Sequence, residues 1–218
     1  MSRYLNELEA RDLLAEYQIP MAKSILIRDK AEIADLKEKI DFPVVMKILS
    51  ADIQHKTEAG CVFVKVAKEE AGQVYDQILG NAREYNSQAR IDGVLVQELA
   101  AKGLEVIVGM KKDPQFGPVI MAGTGGIYVE VFKDVAVRLT PLSREEAQRM
   151  LEETKLCEII RGARGMQYDE DKLVSILLKL SDLIHNRPDI EEVDINPLFL
   201  YEKGMGAKGV DALIKIAE

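Results

Sequence analysis

Between Ile91 and Leu139 the chain repeats one device: a short apolar, β-branched run, then a Gly, Pro or Asp break. The runs are Val94–Leu99, Leu104–Met110, Val119–Ala122, Ile127–Phe132 and Val135–Leu139, punctuated by Gly103, Asp113-Pro114 and Gly123-Thr124-Gly125-Gly126. Strands spaced this closely favour antiparallel pairing. Helical periods flank this stretch on both sides. Leu5, Leu8, Leu13, Leu14 and Tyr17 share a face that Pro20 ends. A short apolar run, Ala22–Ile27, follows; Asp29 then caps a helix through Ile40 whose stripe is Ile33, Leu36 and Ile40. Val44–Ile48 and Cys61–Val66 read as strands, and Lys68–Tyr85 as a helix burying Val74, Ile78, Ala82 and Tyr85. Ser143-Arg144-Glu145-Glu146 has the capping-box spacing and opens a helix to Glu153. A further helix, Asp169–Asn186, buries Leu173, Ile176, Leu177, Leu180 and Ile184. Glu191–Leu200 and Val210–Ile216, joined through Gly204-Met205-Gly206, form a closing hairpin. The expected fold class is therefore α+β: a small α/β N-terminal lobe over 1–90, then a larger antiparallel sheet flanked by helices over 91–218.

Composition narrows the function. With 47% hydrophobic and 30% charged residues in 218, the chain is neither disordered, collagen-like nor a coiled coil. A net charge of -8 repels phosphodiester backbones and gives no general attraction to anionic membranes, so neither nucleic acid nor a membrane is an expected partner. Two cysteines, Cys61 and Cys157, make neither a disulfide framework nor a zinc site. No apolar run approaches the roughly 20 residues that span a bilayer, and the N-terminus lacks a basic flank followed by an apolar stretch. A cytoplasmic protein with reduced thiols is expected.

Four places carry polar chemistry where the pattern does not require it. Lys47 interrupts the apolar run Val44–Ile48, and its ammonium either snorkels to water or meets an anion. The next loop, Ser50 to Gly60, holds hydroxyls, His55, Lys56 and Gly60; it reads as a flap offering donors to phosphate or as an ordinary polar surface loop. Gln97-Glu98 ends one strand and Glu105 begins the next, so the segment between them either faces a heterocycle and its sugar or is solvated. Asp194-Ile195-Asn196-Pro197 puts Asp194 and Asn196 on one strand face that Asp211 can approach from the paired strand. This is either a cluster of hard oxygen donors suited to magnesium or a turn motif. His185, in a last helical turn, complements the helix dipole; Glu130 and Arg138 either form a structural ion pair or face a ligand. The glycine run at 123–126 precedes a strand, not a helix, so it is a turn or a close-approach site and no dinucleotide fingerprint.

Taken in order, Phe42-Pro43-Val44-Val45-Met46-Lys47-Ile48, His55-Lys56-Thr57-Glu58, Gly93–Glu98, Gly103–Gly109, Asp113–Pro118, Gly123–Glu130 and Asp194–Leu198 resemble the ATP-grasp domain of nucleoside-diphosphate-forming acyl-CoA synthetases. Within that family the likeness is to the separate β subunit of ADP-forming acetyl-CoA synthetases, and it spans nearly the whole chain. The resemblance implies an ATP-grasp fold and an acid–CoA ligase that interconverts acyl-CoA, ADP and phosphate with acid, CoA and ATP. It implies that Lys47 holds the α/β-phosphates within a phosphate-binding flap closed by Gly60, that Gln97, Glu98 and Leu99 contact adenine, and that Glu105 contacts ribose. Asn196 and Asp211 would hold Mg2+, and His55 would assist phosphoryl transfer. The partner implied is an α subunit that carries the CoA-binding domain and a phosphohistidine, in an α2β2 assembly. Cys61 stands where the family usually has a second glycine after the His-Lys-Thr-Glu motif. Two other functions share these residues: an ATP-dependent carboxylate ligase working through an acyl phosphate, and a non-catalytic nucleotide-sensing module.

Overall fold

The computed structural model describes residues 2–53, 55–126, 134–163 and 165–218. The strand expected at Ile127–Phe132 and the Glu130 side of its expected ion pair lie outside them. The chain forms two compact units, residues 22–100 and residues 1–21 with 101–218.

In the unit 22–100, four strands form an antiparallel sheet: β2 (Ser24–Ile27), β3 (Val44–Leu49), β4 (Val62–Val66) and β5 (Gly93–Glu98), in the order β2-β5-β3-β4. Strand alternation sends Ile27, Val44, Met46, Ile48, Val94 and Val96 to one side. There they pack with Ala71, Tyr75, Ile78 and Ala82, the four-three-four spaced face of helix α2 (Ala71–Tyr85), in one buried cluster. At roughly 1.5–3 kcal/mol for each large side chain fully removed from water, this face supplies the unit's cohesion. Asp29 caps the next element as expected, but that element, Lys30–Glu38, is a 3-10 helix rather than an α-helix. It buries only Leu36 over its length, too narrow an apolar face to hold an α-helix against the core.

In the other unit, β1 (Ser2–Tyr4), β6 (Leu104–Asp113), β7 (Gly117–Thr124), β8 (Val135–Leu139), β9 (Ile190–Leu200), β10 (Ala207–Gly209) and β11 (Ala212–Ala217) form a seven-stranded antiparallel sheet. Its order is β1-β11-β9-β6-β7-β8, with β10 on β9. Helices α1 (Glu7–Glu16), α3 (Arg144–Glu152), α4 (Lys155–Ile160) and α5 (Glu170–Asn186) join it in a cluster that unites Leu14, Met150, Leu156, Leu173, Leu177, Leu180 and Ile184 with Val106, Val108, Ile120, Val193, Ile195, Leu198 and Ile214. The capping box at Ser143 forms, with Glu146 N–H donating to Ser143 Oγ at 3.2 Å and Ser143 N–H to Glu146 Oε2 at 2.9 Å. Asn6 caps α1 in the same way with Glu9.

Several boundaries differ from the sequence reading, each because a pairing partner lies far away in the chain. The small sheet is antiparallel throughout rather than of α/β type, since β5 inserts between β2 and β3. For the same reason the division falls at residue 100 rather than 90, and residues 1–21 join the larger unit through β1 and α1. The first helix starts at Glu7, after Leu5 of its expected face, because Ser2–Tyr4 pairs with β11. The last strand, β11, starts at Ala212 rather than Val210 and pairs with the beginning of β9, while a separate strand before it, β10, pairs with the end of β9. Arg138 pairs with Glu153. Among the described residues, no helix is long and apolar enough to cross a membrane.

Candidate functional site

Lys47 occupies the middle of β3, opposite Leu95 of β5 and Val62 of β4. Paired residues share a sheet face, and Val45 stands opposite Gln97. Lys47 and Gln97 are therefore diagonal neighbours on the face turned away from α2. Both are buried, Lys47 at 6% exposure and Gln97 at 1%. A lysine this deep does not reach open solvent as a snorkelling strand lysine does. Glu98 Oε1 accepts the Lys23 N–H at 2.6 Å, which ties the end of β5 to the chain entering β2. Leu99 follows directly.

The loop after β3 is built as connected turns. Ser50 Oγ donates to Arg90 O at 2.7 Å, Asp52 Oδ2 accepts the Arg90 N–H at 2.7 Å, and Ile53 is fully buried, which anchors its first half. In its second half the N–H groups of Ala59, Gly60 and Cys61 close back on the carbonyls of His55, Thr57 and Lys56. Gly60 takes φ +64, a left-handed conformation that glycine adopts without strain, and its carbonyl accepts from Asn81 Nδ2 at 2.6 Å. Cys61 is fully buried, its Sγ 3.3 Å from Ala59 O and 3.7 Å from Ile78 O. The cysteine thus seats the loop on α2. Between these anchors His55 projects outward with its side chain 70% exposed, 4.0 Å from Glu58.

In the larger unit, Glu105 lies at the start of β6, next to the glycine run. Gly125 N–H donates to Glu105 O at 2.8 Å. A Cβ on Gly125 would sit 2.9 Å from the Glu105 carbonyl carbon and from Val106 N, and one on Gly126, at φ +72, would sit 2.3 Å from Glu105 Oε2. The run at 123–126 is accordingly a close-approach site laid against Glu105.

Asn196 and Asp211 are brought together by a bulge. β9 pairs Leu198 with Val106 and Ile195 with Val108, so Asn196 and Pro197 together oppose the single residue Ile107. The bulge lets Val193 and Ile195 before it and Leu198 and Leu200 after it point into the same core, while Asn196 is pushed out, exposed to solvent. A proline in a central strand is a sequence-level sign of such an irregularity. Asn196 N–H donates to Asp211 O at 3.2 Å, and Ala212 N–H donates to Asp211 Oδ1 at 3.0 Å. Asp194, which pairs with Leu213, is half-buried; burial raises its carboxyl above the usual range, and the charges of Glu192 and Asp211 add to the rise. A side-chain amide oxygen and an exposed carboxylate, both open to water, fit a hard divalent cation that keeps most of its own water ligands.

In one unit Lys47 and Gln97 are neighbours on a sheet face and the His55 loop follows β3; in the other the glycine run lies against Glu105, and Asn196 is hydrogen-bonded to Asp211. Sequence reasoning missed Glu7 and Arg11 of α1, both buried, with Arg11 donating to Val210 O beside Asp211. Their spacing with Leu14 (i, i+4, i+7) placed them on the inward face.

The family profile of the ATP-grasp domain matches residues 1–216. The β subunit of acetate–CoA ligase (ADP-forming) I from Pyrococcus furiosus is 42% identical over 213 residues, covering 97% of this chain and 91% of that protein. This chain belongs to the ATP-grasp family of ADP-forming acetate–CoA ligase β subunits. Its ATP-grasp fold is matched by a crystal structure from Pyrococcus horikoshii OT3, with a TM-score of 0.94 and 39% identity over 99% of this chain and 92% of that one. A second match is an acetyl-coenzyme A synthetase 1 of Candidatus Korarchaeum cryptofilum in complex with coenzyme A and Mg-AMPPCP, with a phosphohistidine segment pointing towards the nucleotide binding site. Its TM-score is 0.85 and its identity 35%, over 99% of this chain and 93% of that one. Some relatives are longer: the chain spans only 29% of the acetate–CoA ligase (ADP-forming) I of Archaeoglobus fulgidus, to which it is 42% identical over 197 residues.

Proposed function

We propose that this chain is the nucleotide-binding β subunit of an ADP-forming acyl-CoA synthetase, interconverting acyl-CoA, ADP and phosphate with acid, CoA and ATP. The observation that supports it is a buried lysine on the sheet face turned away from α2 in one unit and an amide–carboxylate pair presented by a bulge in the other, in a chain matched along its length by such β subunits. Lys47 holds the α/β-phosphates; its ammonium, largely withdrawn from water, interacts with phosphate oxygens through a lower effective dielectric than a surface lysine would. Gln97, Glu98 and Leu99 contact the base, Glu105 the ribose hydroxyls, and Gly60 leaves the loop backbone room to approach phosphate. Asn196 and Asp211 hold the divalent ion, taken to be Mg2+, which neutralises phosphate charge when bound. His55 assists passage of the phosphoryl group between a histidine of the partner and the nucleotide.

The partner is an α subunit that carries the CoA-binding domain and the phosphorylated histidine, assembled as α2β2 in the cytoplasm. The test is reconstitution. This chain mixed with a candidate α subunit forms ATP from acetyl-CoA, ADP and phosphate, and neither chain does so alone. ATP-dependent ligation by this chain without a partner would instead establish a one-chain carboxylate ligase, and nucleotide binding without turnover in the complex would establish a sensing module.

A further inference from the structure

The inner face of α1 carries an ion pair taken out of water. Glu7 is 5% exposed and Arg11 4%, one helical turn apart, with Arg11 Nε 3.3 Å and Nη2 3.2 Å from Glu7 Oε1. A buried pair of this kind is weak evidence of stability, because the desolvation of two ions offsets most of their attraction and apolar residues would pack as well. Its second contact is the informative one. Arg11 Nη2 also donates to the carbonyl oxygen of Val210, the residue immediately before Asp211.

The segment that carries Asp211 is only two residues long, between β10 and β11, and its backbone is held from three directions. Gly209 N–H donates to Pro20 O at 2.8 Å, Val210 N–H to Pro197 O at 3.0 Å, and Asn196 N–H to Asp211 O at 3.2 Å. Of the Val210–Asp211 peptide itself, Arg11 holds the carbonyl oxygen. The orientation of that peptide plane fixes φ at Asp211, and with it the direction in which the carboxylate leaves the chain. Glu7 in turn fixes the plane of the guanidinium, whose rigid fork can face a carboxylate and a carbonyl at once.

We infer that Arg11, oriented by Glu7, is a positioning residue for the divalent-cation ligand Asp211. The inference rests on the metal role proposed for Asn196 and Asp211, and adds a support beneath it of the kind that holds metal ligands in place elsewhere.

The experiment uses the full chain and follows Mn2+ binding by electron paramagnetic resonance in the presence of ADP, with ADP binding in EDTA measured separately by calorimetry. Arg11→Gln is expected to weaken Mn2+ binding about 10-fold or more and to leave metal-free ADP binding unchanged. Arg11→Lys, which offers a charge but no fork, is expected to recover only part of the loss. Glu7→Gln keeps a neutral acceptor and is expected to weaken Mn2+ binding about 3-fold, a smaller step than the 10–100-fold typical of losing a supporting group. Far-ultraviolet circular dichroism checks folding, and Glu7→Gln decides the matter if Arg11→Gln does not fold. Asp211→Asn is the reference. Loss of Mn2+ binding in Asp211→Asn with native binding in the folded Glu7 and Arg11 variants overturns the positioning role alone; native binding in all of them overturns the metal site as well.

Discussion

Lys47 is the residue on which the nucleotide reading turns, and its signal was local: one ammonium in an apolar strand. Lys47→Met keeps the volume and removes the charge, so it is expected to cut ATP formation in the reconstituted complex by at least about 100-fold, the scale of a lost phosphate contact in the transition state. His55→Ala is expected to leave ADP affinity within about twofold of native while lowering kcat by about 100-fold, the range for a group that assists proton or phosphoryl movement. Equal losses in both would reduce the loop to scaffolding. Other residues were legible in kind but not in use. The glycines at 125 and 126 announced a close approach, yet only the fold reveals that Glu105 is what they approach. Gly125→Ala drives a methyl into that backbone and is expected to destabilise the protein by about 2 kcal/mol or more in urea unfolding. Cys61 was read as a departure in the flap and proves to be an anchor against α2. Burial pushes the thiols of Cys61 and Cys157 up, so both stay protonated near neutrality, and iodoacetamide is expected to modify them in unfolded but not in native protein.

At the scale of elements, two helix starts were legible as caps, Asp29 and Ser143, whereas α2 begins at Ala71 rather than Lys68 and α4 carries no sequence signal that was read. Asn6, Asp29, Ser143 and Asp169 each accept a backbone N–H at a helix start, and in three cases the reciprocal glutamate is present. Asp169 does more: its Oδ1 caps α5 at Lys172 N–H, and its Oδ2 takes the N–H groups of Gly204 and Gly206, tying the turn beyond β9 to the helix. Asp169→Ala strips all three donors and is expected to cost about 1–3 kcal/mol, read as a lower urea midpoint at unchanged slope. Carboxylates used this way set the acid limit. Backbone N–H donors at Ser143 hold Glu146 below the usual carboxylate range, those of Phe116 and Gln115 do so for Asp113, and Arg187 does so for Asp189. Since these groups bind protons more weakly folded than unfolded, their contribution is present at neutral pH and is lost as pH falls through and below about 4. The urea midpoint is expected to drop between pH 5 and pH 3, flanking that range of about 4, and to show no such fall between pH 5 and pH 7. What elements conceal is their partners. The β9 bulge was hinted at by Pro197, but the insertion of β5 between β2 and β3 and the pairing of Ser2–Tyr4 with β11 are long-range choices that no local period encodes.

For the whole molecule, the antiparallel content and the helical flank followed from spacing, whereas the division into units did not, because both units draw on segments from two sides of the expected boundary. Function was legible to the extent that chemistry sat in unlikely surroundings: a lysine among valines, an Asn-Pro in a strand. Relatives of similar identity are named for different acyl groups, among them a 4-hydroxybutyrate–CoA ligase (ADP-forming) from Nitrosopumilus maritimus, 42% identical over 212 residues but with this chain spanning 30% of its length. On the proposed function, this chain grips a metal-bound nucleotide and exchanges its terminal phosphoryl group with a histidine on another polypeptide. The direct measurement is transfer of radiolabel from γ-labelled ATP, with Mg2+, to a candidate α subunit, scored as acid-labile, alkali-stable phosphohistidine. Label is expected on the α chain when native protein is present and none with Lys47→Met; label that never reaches the α chain, or that reaches it equally without this protein, overturns the proposed function.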